Sequence, residues 1–153
     1  SSILAEVEEN MTWGEIQIIS LQKMFAKDEP ITVNNLTELR NDDDCKWYLS
    51  AMPAVANEAI QRIKPYVMNL YKYDEENKKY NKTSITKIDS TTEDAYKIEL
   101  PEEACVLIPL YIASQLYKDD DISQATAYRN EFEVGLQDLY INVENQESIE
   151  EVY

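Results

Sequence analysis

Residues 100–139 decide the fold, and they read LPEEACVLIPLYIASQLYKDDDISQATAYRNEFEVGLQDL. Pro101 suits the first turn of a helix, because its fixed φ and missing N–H cost nothing there. Glu102 and Glu103 follow at the position where the helix dipole favours anions. Apolar residues then recur at spacings of three and four, which predicts one buried stripe. The stripe consists of Ala104, Leu107, Ile108, Tyr111, Ile112 and Leu116.

An acidic turn separates this helix from the next one. Asp119, Asp120 and Asp121 follow Lys118. Asp121 is predicted to cap the second helix, since an aspartate can accept hydrogen bonds from the free N–H groups of a first turn. That helix carries its own stripe, formed by Ala125, Tyr128, Phe132, Leu136 and Leu139. The stretch therefore predicts an antiparallel helical hairpin.

Two further helices are predicted upstream of this hairpin. Thr12 and Glu15 have the spacing of a capping box, so Thr12 is expected to cap helix one. Asp44 closes an earlier aspartate triplet and is predicted to cap helix two. Pro53 lies inside helix two, where it removes a hydrogen bond and crowds the preceding turn. We therefore expect a kink or a break near Ser50.

The remaining segments lack a helical stripe. Residues 67–100 mix tyrosines and β-branched residues with polar turns, which favours a β-hairpin or a long loop. Residues 1–10 are predicted to form an acidic arm, and residues 140–153 an extended tail that orders on a partner. The apolar anchors of the tail are Tyr140, Ile141, Val143, Ile149, Val152 and Tyr153. The sequence thus predicts an all-α single domain, in which about four main helices within residues 11–139 form a bundle with a hairpin or loop between helices two and three.

Composition argues against several classes of function. Thirty acidic against fourteen basic residues give a net charge of −16, so DNA and anionic membrane surfaces are repelled. The chain has no histidine and two glycines, which disfavours most acid-base hydrolases and the glycine-rich phosphate loops. No apolar run reaches the roughly 18 residues of a membrane span, and the first residues are acidic where a secretory signal would be basic. We expect a soluble protein without a cofactor.

Candidate sites have simpler explanations. The aspartate triplets at 42–44 and 119–121 could bind a hard cation, but both lack the glycine and the spacing of a calcium loop, so capping is the preferred interpretation. Carboxylate pairs such as Glu102 with Glu103 arise by chance in so acidic a chain. Cys45 and Cys105 have no histidine to activate them, which favours core thiols over nucleophiles. We therefore predict no catalytic residue, no metal site and no enzymatic activity.

The aromatic residues allow two interpretations. Eleven tyrosines exceed what one small core would hold, and tyrosine is favoured at protein interfaces. Trp47 and Tyr48 either bury against the last helix or contact another subunit. Tyr71, Tyr73 and Tyr80 are further candidates for a subunit interface, and the sequence leaves both possibilities open.

Two blocks of sequence resemble the head-tail connector, or neck adaptor, proteins of long-tailed bacteriophages. The first block is the order LPEEA, an apolar helix carrying IASQLY, a DDD turn and a helix of the form A..YRNEFE..L..L. The second is WYLSAMPAVANEAIQRI at residues 47–63, which is similar to an earlier helix of that family with a Met-Pro step before Asn-Glu-Ala. The resemblance covers residues 40–139 with a loose middle.

The resemblance implies a structural virion protein at the capsid-tail junction, assembled in the cytoplasm of the bacterial host. Such subunits form a dodecameric ring under the portal, extend the DNA channel and join the capsid to the neck or tail. The implied partners are further copies of the chain, the portal protein, and a stopper or tail-completion protein. DNA is only passing cargo, and no membrane is involved. The chain end commonly reaches into the portal, which would make residues 140–153 a portal-binding tail.

The main alternative is an acidic mimic of DNA that inhibits a nucleic-acid enzyme. Such a protein should carry carboxylates at phosphate-like separations on one face, whereas the acids here concentrate at caps, loops and both ends. The two readings predict different partners: a portal protein for the adaptor, and a restriction enzyme or polymerase for the mimic. An enzyme would require a ligand site that the sequence does not indicate.

Overall fold

The computed structural model describes residues 10–25, 31–67, 71–82 and 85–152, and within these ranges all side chains except those at 33, 71–73, 80–82 and 140–152. The protein is mostly helical. Its helices are α1 (Trp13–Met24), α2 (Val33–Leu39), α3 (Lys46–Ile63), α4 (Glu102–Cys105), α5 (Leu107–Leu116) and α6 (Ile122–Val152). A 3₁₀ turn at Lys64–Tyr66 follows α3 directly.

Two short strands lie between α3 and α4. Strand β1 (Tyr71–Asp74) pairs antiparallel with β2 (Lys79–Lys82), so that Asp74 lies opposite Lys79. The Asp74 carboxylate accepts hydrogen bonds from the N–H groups of Glu76 and Asn77 at 3.0 and 3.3 Å, which fixes the turn. Lys78 has a φ of 53° at the end of that turn.

Helix α5 is the centre of the molecule. It packs against α1, α3 and α6, and almost its whole surface is buried, as expected for a helix that is apolar on all sides. Phe132 of α6 is fully buried, with its ring centroid 5.0 Å from that of Tyr111. The Ser114 hydroxyl, buried in the same core, donates to the Tyr111 carbonyl at 2.7 Å.

The segment after β2 returns along the helices and covers the start of α1. The Trp13 and Gly14 N–H groups donate to the Tyr96 and Asp94 carbonyls, each at 2.8 Å. These amides have no partner within their own helix, because the first turn of any helix lacks the preceding carbonyls. The N–H of Ile98 donates in turn to the Met11 carbonyl at 2.9 Å. Residues 94–98 therefore act as a strap across α1.

Prolines act differently in the two helices that contain them. Helix α3 runs through Pro53 without interruption, so the predicted break near Ser50 is wrong, and the alternative of a kink stays a prediction. Buried residues on both sides of Pro53, such as Met52 and Ala56, hold the helix against the core despite the lost hydrogen bond. The helix predicted from Pro101 onward is divided into α4 and α5, which are separated at Val106. Pro109, in the first turn of α5, has no N–H to donate to the carbonyl of Cys105, the last residue of α4.

The predicted caps have different outcomes. The Thr12 hydroxyl accepts from the Glu15 N–H at 3.1 Å, and Asp121 accepts from the Gln124 N–H at 3.1 Å. The prediction for Asp44 is wrong, because α3 has Cys45 at its N-cap and no side-chain capping bond. Asp44 lies in the preceding turn, where its own N–H donates to the Asp42 carboxylate at 2.8 Å.

The C-terminal segment is not extended. The backbone of α6 continues to Val152, so the prediction of an extended tail is wrong. Residues 136–152 contain no glycine or proline, and a helix already formed adds each further residue at low cost. The side chains of the anchors Tyr140, Ile141, Val143, Ile149 and Val152 lie outside the described residues, as do Tyr153 and the arm at residues 1–9.

Candidate interaction surface

The two aspartate triplets, which are separate in the sequence, meet at one end of the protein. The Tyr48 hydroxyl, in the first turn of α3, donates a hydrogen bond to the Asp120 carboxylate. This contact places the turn before α3 beside the turn between α5 and α6. We call this region the acidic end, and define it by Asp42, Asp43, Asp44, Trp47, Tyr48, Asp119, Asp120, Asp121 and Ile122.

Trp47 is the most prominent apolar residue of the acidic end. It is 59% exposed, and its ring stands edge-on to Tyr48 with the ring centroids 5.0 Å apart. At about 100° per residue, Trp47 lies on the side of α3 opposite to the buried Met52 and Ala56. Burial of Trp47 against the last helix does not occur, which leaves the predicted interface role.

Tyr48 has one face in the protein and a polar tip at the surface. Its ring is edge-on to Phe25, with centroids 5.1 Å apart, and it is partly buried against the core. The hydrogen bond to Asp120, followed by burial, raises the pKa of Tyr48 to about 12. The phenol therefore stays protonated and joins α3 to the turn before α6.

The rim of the acidic end remains strongly negative. Lys46 pairs with Asp43 at 3.0 Å, but both side chains are exposed, and exposed pairs contribute little stability. Ile122, which is 65% exposed, lies directly after the capping residue Asp121. Trp47 and Ile122 are thus two exposed apolar side chains of the acidic end, one close to each aspartate triplet in the sequence.

A cleft of about 580 Å³ lies on the other flank of the α3 start. Its wall contains a closed polar network: Gln17 Nε2 donates to Asp94 Oδ1 at 2.9 Å, and Arg40 Nη2 donates to the same oxygen at 2.5 Å. Arg40 also donates to Gln17 Oε1 at 3.3 Å. Because these groups satisfy one another and hold the strap on α1 and α2, we interpret the network as structural.

The other predicted residues do not join this surface. Cys45 and Cys105 are buried, and burial raises the pKa of the Cys105 thiol to about 12, the opposite of what a nucleophile needs. The side chains of Tyr71, Tyr73 and Tyr80 lie outside the described residues. In the part of the chain that the structure describes, no group of three or more acidic or cysteine side chains could hold a metal ion.

Two features of this region were not predicted from the sequence. The approach of the two triplets depends on long-range packing of α3 against α5, which no local pattern encodes. The exposure of Ile122 did have a signal: this apolar residue comes after the acidic turn and before the stripe that begins at Ala125.

Within the described ranges, none of the helices has the length and apolar character needed to cross a membrane. Comparison of the chain with protein-family models, curated proteins and solved structures finds no match.

Proposed function

We propose that this chain is a structural virion protein, a head-tail connector that forms a ring under the portal, extends the DNA channel and joins the capsid to the neck or tail. It acts without catalysis and without a cofactor. Its partners are further copies of itself, the portal protein, and a stopper or tail-completion protein, with DNA as passing cargo. The sequence resemblance over residues 40–139 motivates this assignment.

The observation that carries the proposal is the exposure of Trp47. A tryptophan ring that is 59% exposed leaves apolar surface in water, and tryptophan is among the residues that most often dominate binding at interfaces. It stands at the tip of a well-packed helix, so its position is fixed before binding. A surface of this kind supports a function in assembly.

The proposal includes an architecture. Helices α1, α3, α5 and α6 form the bundle, with the β1–β2 hairpin as an insertion between α3 and α4. Leu139 is the last residue of α6 with a described side chain in the core, and the helix continues to Val152. We assign residues 140–153 to portal binding as a helix laid into a groove, in place of strand addition.

The acidic end also favours the second candidate, a DNA mimic, because the two triplets concentrate carboxylates in one place. The exposed indole of Trp47 among these acidic residues is unlike a phosphate row, which makes the mimic the weaker candidate. The two candidates differ in partner: the mimic binds a nucleic-acid enzyme in competition with DNA.

Negative-stain imaging of the protein mixed with its cognate portal protein tests the proposal. The expected result is an added ring on the portal, and antibody against the chain should label the capsid-tail junction of virions. The absence of both the ring and the label would contradict the connector. Inhibition of a restriction enzyme or polymerase would then support the mimic.

A further inference from the structure

We infer that the acidic end of one copy binds the lysine-bearing β1–β2 hairpin of a neighbouring copy, in a head-to-tail contact between two different surfaces. This inference rests on the proposed function and specifies the subunit contact of the ring. It commits to a second copy of this chain as the occupant of the acidic end.

The hairpin strand and the acidic end carry opposite charges. Residues 77–88 read NKKYNKTSITKI and contain four lysines and no carboxylate, in a chain whose net charge is −16. This is the most basic run of the sequence, and Lys78 and Lys79 at its start are exposed. The acidic end has the opposite charge. Complementary potentials of this kind steer association and fix the orientation of partners.

The hairpin itself is polarised. Asp74 is engaged in the turn through its bonds with the Glu76 and Asn77 amides, while Lys79 lies opposite it at the start of β2. The carboxylates therefore stand on the β1 side of the turn, and the lysines begin on the β2 side. This asymmetry gives the neighbour one basic edge to bind.

The acidic end and the connection to the hairpin lie at different ends of α3. Trp47 stands at the N-terminal end of α3, whereas the chain leaves for the hairpin from the C-terminal end. Helix α3 has 18 residues, so at about 1.5 Å per residue its two ends are roughly 27 Å apart. One copy thus carries the acidic end at one end of a rigid helix, and the chain leaves for the hairpin from the other end. A contact between unlike surfaces produces rings when the rotation closes.

The neighbour would also meet exposed apolar side chains. Trp47 and Ile122 are large and exposed, and each lies within three residues of one of the aspartate triplets, which suits an apolar contact with a polar rim. The lysines of a neighbour can lay their aliphatic stems on the indole while their ammonium groups reach the aspartates. An indole face also attracts a cation directly.

Exchange of the charges tests this contact. We would prepare D44K/D119K at the acidic end and K78E/K79E at the hairpin, since neither aspartate is the α6 cap. Sedimentation velocity of the full-length protein, free and on portal rings, should show association weakened roughly 10-fold or more by either exchange. A mixture of the two variants should recover association through the exchanged pair of surfaces. E131K/D138K makes the same charge change on exposed positions of α6 and should leave association unchanged.

A disulfide trap gives a second readout that does not depend on tight binding. Both native cysteines are buried, so cysteines introduced at Asp119 of one copy and Lys79 of another should be the reactive ones. Oxidation of the mixed D119C and K79C proteins should give a cross-linked dimer in clear excess over the matched pair E131C and K79C. Equal yields for the two pairs would overturn the contact.

The failures are distinguishable. Rings that form on the portal equally well when either charge exchange is made alone would overturn this contact and leave the connector intact. If the unchanged protein forms no ring on the portal, the proposed function itself fails. If K78E/K79E lowers affinity for duplex DNA and not for other copies, the lysines belong to a DNA contact and the inference is wrong. The inference would also be wrong if a different, basic protein bound at Trp47 and the charge exchanges left self-association unchanged.

Discussion

Two tryptophans stand in the first turns of their helices, and the fold treats them in opposite ways. Trp13 begins α1 and is 2% exposed, because the strap at residues 94–98 covers it, and the Tyr96 carbonyl of the strap accepts a hydrogen bond from its backbone N–H. Trp47 lies in the first turn of α3 and is 59% exposed, beside an N-cap without a side-chain bond. The difference shows that residue type and helix position do not decide burial. A segment distant in sequence closes one helix start, and within the described ranges the other start stays open.

Removal of each indole ring tests the difference between the two tryptophans. Trp13→Ala should cost about 3–5 kcal/mol of unfolding free energy, because it leaves a cavity in the core. Trp47→Ala should change stability by no more than about 0.5 kcal/mol, as expected at an exposed site. Urea unfolding followed by circular dichroism measures both. Equal losses would show that Trp47 is a core residue in solution.

The strap itself can be tested at Gly14. A Cβ at this position would stand 3.0 Å from the Asp94 carbonyl oxygen, which is backbone and cannot move without shifting the strap. Gly14→Ala should therefore cost about 1–3 kcal/mol. Ser123→Ala is the matched control, because Ser123 holds the same position in α6 relative to its cap and is exposed. Thermal melting of both variants measures the two stability losses, and an unchanged melting midpoint for Gly14→Ala would contradict the close packing of the strap.

Removal of the capping side chains tests how each helix start is stabilised. Thr12→Ala and Asp121→Ala should each cost about 1 kcal/mol, since each leaves an amide of the first turn without its acceptor. Asp44→Ala should cost almost nothing, because the Asp44 carboxylate does not cap α3. Chemical denaturation of the three variants under one set of conditions gives the ranking. A loss at Asp44 equal to that at Asp121 would mean that the α3 start is capped after all.

The smallest expected effect concerns pH. The pKa of Tyr48 rises from 10.0 to about 12 in the folded protein, so the fold favours the protonated phenol. The contribution of its hydrogen bond to Asp120 is therefore complete below pH 10 and is lost as the pH rises from 10 toward 12. The stability difference between the unchanged protein and Tyr48→Phe should be constant from neutral pH to the ordinary tyrosine pKa and shrink above it. Urea midpoints measured across this range test the trend, and a difference that grows with pH would contradict it.

Much of the helical frame was predictable because its signals are local. The apolar run of α5, the stripe of α6, the capping box at Thr12 and the cap at Asp121 each depend on residues within one or two turns, although α5 is buried on all sides and not along one stripe. Errors arose where packing outweighs a local rule. Pro53 did not break α3, because buried neighbours hold the helix on both sides.

The interaction surface was less predictable than the frame. Trp47 was recognised as a candidate, but local pattern could not tell core from surface, since this depends on which distant segment covers it. The meeting of the two aspartate triplets depends on one contact, between Tyr48 and Asp120, that spans much of the sequence. No spacing rule encodes such a contact.

Acrylamide quenching of tryptophan fluorescence, in the free protein and in the protein assembled on portal rings, tests whether the acidic end is an assembly surface. Trp13 is 2% exposed and serves as an internal reference that acrylamide does not reach in either state. Our account predicts that Trp47 is readily quenched in the free protein and becomes protected on assembly. Quenching of Trp47 that stays the same in the assembled ring would contradict an assembly role for the acidic end.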